Sequence, residues 1–293
     1  MIVILGATGN IGKRTAELLL AKGEKVRIVV RNPEKAKSLQ EKGAEVFTAS
    51  VEDAAALAKA FEGADAAFIL IPPKYDANDF RAYQNQVSEA LAQAIQASGL
   101  KYVVSLSSVG AHRGDKMGPV NGLYDNEQRL NKLSNVNILH LRPSFFMENN
   151  FMNIGLIKSM GINGGPLKPD VKLPMIATQD IADETAERLV RRDFGGKTVK
   201  ELLGQRDLNM KEVTRALGQA IGKPDLNYVQ FAYEDAEKAM VKMGLSADFA
   251  RQVIEMNRGF NEGIVKPIQS RSLETTTKTS IEEFAKTFAA LYK

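Results

Sequence analysis

Three glycines with the spacing G-x-x-G-x-x-G constrain the fold of this chain more than any other sequence feature. They lie in the segment Gly6–Gly12, which follows the continuously apolar run Ile2–Leu5 and opens an amphipathic stretch. Gly6 permits a tight turn, Gly9 lets the backbone come close to a ligand, and Gly12 allows close packing of helix on strand. A strand, such a turn and a helix in this order predict a nucleotide site with the phosphates at the helix N-terminus.

Strands alternate with amphipathic helices through the first half of the chain, which predicts an α/β fold. The candidate strands are Ile2–Leu5, Val26–Val30, Glu45–Thr48, Ala66–Ile71, Tyr102–Leu106 and Ile138–Leu141. Continuously apolar strands are typical of a parallel sheet that is covered on both faces. Helices are predicted over residues 10–22 and 78–97, and this alternation predicts a doubly wound parallel sheet.

The second half of the chain has a different pattern. Glycines and prolines between residues 148 and 175 predict a loop-rich excursion, whereas a helix near 178–192 and a strand near 197–203 are predicted to return to the sheet. We therefore predict a dinucleotide-binding domain over residues 1–150, to which residues 176–205 return. Residues 151–175 and 206–293 are predicted to form a smaller substrate lobe at the carboxyl edge of the sheet, where open α/β sheets bind ligands.

The charge pattern and the absence of cysteine exclude several classes of function. The 39 Lys and Arg are interleaved with 35 Asp and Glu, so no basic face for nucleic acid is expected. Without cysteine there is no thiol catalysis, and two histidines without paired carboxylates predict no metal site. No apolar run approaches the roughly 20 residues of a membrane span, and the first strand begins directly after Met1. We therefore expect a cytoplasmic protein without a signal peptide or a membrane partner.

The residues after the second strand favour NADP(H) over NAD(H). An acidic residue there would bind the ribose hydroxyls of NAD, but Arg31 follows Val30, with Lys35 and Lys37 close behind. The Arg31 guanidinium can pair with a 2′-phosphate and stack on adenine. The alternative is a solvent-facing arginine at the end of a strand, which leaves NAD(H) open.

Four segments together resemble the NmrA-like family of atypical short-chain dehydrogenases/reductases. They are Gly6–Gly12, Val30–Pro33, Ser105–Ser108 and Leu141–Asn149, of which the last is the most specific. Within the family the sequence is most similar to the bacterial type-2 NADPH quinone oxidoreductases, and the stretch Thr275–Phe284 also fits that group. The resemblance implies an NAD(P)-binding Rossmann fold, NADP(H) as cofactor and a smaller, mainly helical C-terminal lobe.

The resemblance also implies which residues form the site. Those implied to bind the cofactor are Gly6, Thr8, Gly9, Asn10, Ile11, Gly12, Arg31, Leu70, Ile71, Pro72, Ser105, Leu106, Ser107, Pro143 and Phe145. Those implied to line the substrate pocket are Pro73, Tyr124, Ser144, Phe146 and Asn149. Ser50 is a departure, because relatives often carry an acidic residue there near adenine. Asp53 is more simply explained as the N-cap of the following helix.

The Tyr-x-x-x-Lys dyad of ordinary short-chain dehydrogenases is missing. Tyr124 has Gln128 in the lysine position, so no ammonium one helical turn away lowers the pKa of its phenol. In a second register, set by Glu127, Leu123 takes the lysine position and Pro119 the tyrosine position. Tyr124 is then a partly exposed aromatic residue near the cleft, and the catalytic residues stay unknown.

Two histidines and a pair of serines are weaker candidates for chemistry. His140 lies in a predicted strand, where a packed core imidazole is expected. His112 follows the fifth strand, and a solvated loop histidine is favoured over one that reaches the cleft. Ser107 and Ser108 lack the G-x-S-x-G context of a serine hydrolase.

Two functions explain an intact cofactor loop beside a missing dyad. In the first, an enzyme passes hydride from NADPH to a small apolar electrophile such as a quinone, which takes its protons from water. In the second, a non-catalytic protein senses NADP(H) and acts through a protein partner. A homodimer is compatible with either function, and the resemblance to quinone reductases favours the enzyme.

Overall fold

A seven-stranded parallel sheet forms the centre of the computed structural model, which describes residues 1–293. The strands of the chain are β1 (Ile2–Leu5), β2 (Val26–Val30), β3 (Glu45–Thr48), β4 (Ala66–Ile69), β5 (Tyr102–Leu106), β6 (Asn137–Pro143), β7 (Phe145–Phe146), β8 (Ile162–Gly165), β9 (Leu173–Ile176), β10 (Lys197–Leu202), β11 (Asp207–Leu208) and β12 (Asn227–Gln230). The central sheet has the order β10-β6-β5-β4-β1-β2-β3, and all of its strand pairs are parallel. The predicted doubly wound Rossmann fold is therefore confirmed.

The chain has eleven α-helices. They are α1 (Asn10–Ala21), α2 (Lys37–Glu41), α3 (Ala54–Phe61), α4 (Phe80–Ser98), α5 (Asn121–Asn131), α6 (Ile154–Met160), α7 (Thr178–Arg191), α8 (Met210–Ala220), α9 (Tyr233–Lys242), α10 (Ala247–Asn261) and α11 (Ile281–Tyr292). Helices α1 and α7 cover one face of the central sheet, and α3, α4 and α5 cover the other. Short 3₁₀ helices lie at Pro33–Ala36, Gly118–Val120 and Met147–Asn153.

Successive residues of β1 point to opposite faces of the sheet, so β1 contributes to two apolar clusters. Ile4 packs in one cluster with Leu19 of α1 and Leu189 of α7. Leu5 packs in the other cluster with Leu91 of α4, together with residues of α3 and α5. Burial on both faces explains why β1 and β4, in the middle of the sheet, are continuously apolar.

Asp53 and Gly99 mark the start and the end of helices at the positions that the sequence predicted. Asp53 Oδ1 accepts a hydrogen bond from the Ala56 N–H at 3.0 Å, which confirms Asp53 as the N-cap of α3. Gly99 ends α4 with a φ of 69°, a conformation that glycine adopts without steric cost. Strand β4 ends at Ile69 and not at Ile71, so the segment from Leu70 onward is free to line the edge of the sheet.

The prediction of a loop-rich excursion over residues 148–175 is wrong in detail. This segment contains α6 and β8 and the first part of β9. Ile157 and Leu173 are buried in one apolar cluster with Phe284 of α11. Short elements of this kind take their stability from tertiary packing, which the local glycines and prolines do not reveal.

Helix α10 connects the C-terminal part of the chain with the segment that follows β4. The ring of Phe249 lies 4.7 Å from that of Phe80 and 5.1 Å from that of Tyr75, measured between centroids. Asp248 Oδ2 also accepts from the Phe80 N–H at 2.9 Å. The division of the chain into a cofactor domain and a lobe stays a prediction. None of the helices combines the length and apolar character that a membrane crossing requires.

Candidate functional site

The carboxyl ends of β1 and β4 lie side by side at the point where the strand order of the sheet reverses. Gly6 follows β1 with a φ of +66°, and a Cβ at Gly6 would lie 2.7 Å from Leu70 Cδ2. The glycine loop and the segment that follows β4 are therefore in contact. Such a switch point is where open α/β sheets bind their ligands.

The glycine loop presents open backbone at the start of α1. Thr8–Asn10 are exposed, and a Cβ on Gly9 would meet only Gly6 O, 3.5 Å away. A Cβ on Gly12 would lie 2.4 Å from the same oxygen, so Gly12 is required for packing. The first turn of α1 has neither a side-chain cap nor an acidic residue. Its free N–H groups and the open space above Gly9 fit a diphosphate.

Arg31 lies at the edge of the same crevice, directly after β2, with an exposed side chain. The nearby carboxylate of Glu34 is paired with Lys37 at 2.5 Å and not with Arg31. Burial raises the pKa of the Tyr83 phenol, and the positive charge of Arg31 opposes that rise. Tyr83 Oη donates to Pro72 O at 3.0 Å, so Tyr83 joins α4 to the segment that follows β4.

A buried ion pair lies beneath the carboxyl ends of β5 and β6. Glu127 and Arg142 are 1% and 5% exposed, and Arg142 Nη2 lies 2.5 Å from Glu127 Oε2. Ser107 Oγ donates to Glu127 Oε1 at 2.5 Å, and Ser105 Oγ accepts from Asn126 Nδ2 at 3.4 Å. Both serine hydroxyls are thus engaged inside the protein, so these serines present only backbone to the crevice. No sequence motif pointed to this ion pair.

The segment Leu141–Asn149 uses most of its polar groups to join neighbouring elements. Glu148 Oε1 accepts from the N–H and the Oγ1–H of Thr178 at 2.9 and 2.6 Å, which fixes the start of α7. Burial raises the pKa of Glu148. Ser144 is 7% exposed and its N–H donates to Leu202 O at 2.9 Å, but its hydroxyl has no partner in the chain. That hydroxyl is available to a ligand.

A cavity of about 210 Å³ lies beside Ser144, between the end of β6 and α10. Its lining residues are Ser108, Val109, Ser144, Phe145, Phe146, Asn149, Pro174, Met256, Phe260, Val265, Lys266 and Pro267. Four of them, Ser144, Phe145, Phe146 and Asn149, were predicted as site residues. The sequence analysis missed the wall formed by α10 and the residues after it, because no motif marks those residues. The rings of Phe145 and Phe260 meet edge to face at 6.0 Å across this wall.

The other predicted site residues differ in exposure. Thr8, Gly9, Asn10, Arg31 and Pro73 are exposed; Gly6, Leu70, Ile71, Pro72, Leu106 and Tyr124 are half-buried; and Ile11, Gly12, Ser105, Ser107 and Pro143 are buried. The exposed and half-buried ones that follow β1, β2, β4 and β5 lie along one edge of the sheet. Pro73 and Tyr124 are not among the residues that line the cavity.

Comparison with known proteins decides the family. The sequence profile of the NmrA-like family matches residues 1–288. The chain belongs to the NmrA-like family. It is 28% identical over 256 residues to the NAD(P)H azoreductase of Xenophilus azovorans. The aligned residues cover 87% of this chain and 86% of the relative.

Solved structures share the fold of this NmrA-like chain over almost its whole length. One is the NADPH-dependent quinone oxidoreductase of Escherichia coli complexed with NADPH, with a TM-score of 0.80 and 23% identity. That match covers 98% of this chain and 99% of the other. Another is the triphenylmethane reductase of Citrobacter sp. complexed with NADP(H), with a TM-score of 0.82, 20% identity and coverage of 99% and 100%.

The histidines and Tyr124 of this NmrA-like chain lie outside the cavity lining. Tyr124 is half-buried and packs on Gly114, where a Cβ would lie 2.7 Å from the ring. His140 is 1% exposed, and burial lowers its pKa to about 4, which confirms it as a core residue. His112 is half-buried, so the predicted solvated loop histidine is only partly exposed; its Nδ1 is buried without a partner, and burial lowers its pKa. No cluster of three or more His, Asp or Glu side chains that could hold a metal ion is present.

Proposed function

We propose that this NmrA-like protein is an oxidoreductase that binds NADP(H) and reduces a small electrophilic acceptor such as a quinone. One observation carries the proposal: an open glycine loop at the switch point lies on the same sheet edge as a cavity with mainly apolar walls. The names of the relatives, an NAD(P)H azoreductase and an NADPH-dependent quinone oxidoreductase complexed with NADPH, support it.

The cofactor assignment follows the crevice from β2 to β6. The N–H groups at the start of α1 hold the diphosphate, and the Arg31 guanidinium pairs with the 2′-phosphate. The segment Leu70–Pro72 runs along the cofactor, and the backbone of Ser105–Ser107 borders the nicotinamide side. Pro143 and Phe145 then place the nicotinamide ring of the cofactor beside the cavity.

The residues of the chain act by positioning the reactants and excluding water. Bound NADPH supplies the hydride. The apolar walls, including Phe146 and Phe260, hold a planar acceptor against the cofactor, and the free hydroxyl of Ser144 donates to an acceptor oxygen. Hydride transfer to a quinone gives a hydroquinone anion, which takes one proton from water after it leaves the apolar walls. We assign no residue of the chain as a proton relay. Both oxygens of Glu127 accept hydrogen bonds from Arg142, and Tyr124 lacks a lysine partner.

Stopped-flow measurement of NADPH oxidation with a panel of quinones tests this function. We expect acceptor-dependent oxidation by the wild-type protein, and a lower rate with Ser144→Ala. Tight NADPH binding without turnover of any acceptor in the panel would contradict catalysis. That result would instead support the NADP(H)-sensing protein with a protein partner.

A further inference from the structure

The cavity has no carboxylate among its lining side chains, and its polar side chains are those of Ser108, Ser144, Asn149 and Lys266. Of the twelve lining residues none is acidic, and Lys266 is the only charged one. Ser144 is more than nine-tenths buried, yet its hydroxyl finds no partner in the chain. A buried hydroxyl without a partner is uncommon in folded proteins, and an oxygen atom of a ligand would provide that partner.

The segment that carries Lys266 is anchored to the sheet. Glu201 of β10 is fully buried, and its Oε2 accepts from the N–H groups of Ile268 and Gln269 at 2.9 and 2.7 Å. Gln269 Oε1 in turn accepts from the Glu201 N–H at 2.9 Å. The backbone beside Lys266 is therefore held at the cavity. The Lys266 side chain is exposed and takes no part in the ion pairs of the chain, so its charge is free to act on a ligand.

We infer that the cavity selects planar aromatic acceptors that carry one anionic group, such as a sulfonate or a carboxylate. The aromatic part lies between the apolar walls, and the anionic group faces Lys266. An oxygen of the acceptor that undergoes reduction accepts a hydrogen bond from the Ser144 hydroxyl. A cationic aromatic compound would meet the Lys266 charge with no carboxylate among the lining residues to compensate it, because Glu201 lies buried behind the lining, so such a compound is disfavoured. This inference rests on the proposed function, since it names the class of acceptor for the same site.

Binding of two matched ligands to the NADP⁺-saturated protein tests the inference without turnover. Naphthalene-2-sulfonate and naphthalene-2-sulfonamide have nearly the same size and differ in charge. By isothermal titration at low salt we expect the sulfonate to bind roughly fivefold more tightly, which is the upper range for a solvent-exposed ion pair. The preference should shrink at high salt, where exposed charges are screened.

Variants identify the residue responsible for the preference. Lys266→Gln should make the two ligands bind within about twofold of each other, whereas Lys286→Gln, the same charge change on the exposed face of α11, should leave the preference intact. Ser144→Ala should leave the preference intact, because the oxygen atoms of both ligands belong to the group that faces Lys266. Equal binding of the two ligands by the wild type, or an unchanged preference in Lys266→Gln, would overturn the inference.

Turnover separates this inference from the proposed function. We expect 1,4-naphthoquinone-2-sulfonate to have a higher kcat/KM than menadione, and Lys266→Gln to reduce that advantage. A sulfonate also makes the quinone easier to reduce, so an advantage that Lys266→Gln leaves unchanged would overturn the inference and leave the proposed function standing. A charge preference in binding without reduction of either quinone would overturn the proposed function and leave the ligand class standing.

Discussion

Gly9 and Gly12 are both glycines of the loop before α1, which we propose binds the cofactor, and we predict opposite consequences when each becomes alanine. The backbone of Gly9 has φ −100° and ψ 172°, which any residue adopts, and a Cβ there would meet only Gly6 O at 3.5 Å. At Gly12 a Cβ would lie 2.4 Å from Gly6 O and 2.9 Å from Leu5 O. Only the second substitution forces the backbone of the protein itself to move.

The magnitudes follow from these contacts. Gly9→Ala should leave the free energy of unfolding unchanged or raise it by up to about 1 kcal/mol, because alanine restricts the unfolded chain. Its methyl group nevertheless occupies the space above the loop, so NADPH binding should weaken by roughly 1–3 kcal/mol, or about five- to 150-fold. Gly12→Ala should lower the free energy of unfolding by roughly 1–3 kcal/mol, which is typical of overpacking against atoms that cannot rotate away.

Urea unfolding and isothermal titration with NADPH measure the two effects separately. A folded Gly9→Ala protein with strongly reduced NADPH affinity would support the assignment of the loop to the diphosphate. If Gly9→Ala bound NADPH as tightly as the wild type, the reasoning would be refuted, because the space above Gly9 would then not be the diphosphate site.

Three further predictions concern charged groups. Arg31→Asp should weaken NADPH binding by at least about 2 kcal/mol, because a charge-assisted contact with the 2′-phosphate becomes a repulsion; unchanged affinity in titration would mean that Arg31 is not the specificity residue. Glu127→Ala should lower the free energy of unfolding by roughly 3–5 kcal/mol, because it leaves the buried Arg142 without its partner; a loss below about 1 kcal/mol in urea unfolding would contradict this. Burial holds the pKa of His140 at about 4, below the ordinary value of 6.5. Between these values the unfolded chain binds a proton that the folded protein excludes, so stability should fall by up to roughly 3 kcal/mol as pH drops through this range. Unfolding midpoints of the wild type and His140→Gln at pH 7 and 4.5 check this, and equal pH dependence in both proteins would count against it.

Local signals predicted the half of the site that depends on neighbouring residues in the sequence. The glycine loop and Arg31 each follow a strand directly, and parallel strands bring such ends to one edge. The end of β4 needed only a small adjustment, from Ile71 to Ile69.

The rest of the site depends on contacts between residues far apart in the sequence. The cavity wall that includes Lys266 is positioned by α10, whose Asp248 contacts Phe80, 168 residues earlier. The buried pair of Glu127 and Arg142 forms between a helix and a strand, and each residue alone resembles an ordinary surface charge. Periodicity and motifs carry no information about such pairings.

A crystal structure of the protein with NADP⁺ would test the central claim most directly. We expect the diphosphate on the N–H groups of the loop before α1, the 2′-phosphate at Arg31, and the nicotinamide facing the cavity beside Ser144. A diphosphate bound away from that loop, or a nicotinamide separated from the cavity by protein side chains, would contradict it.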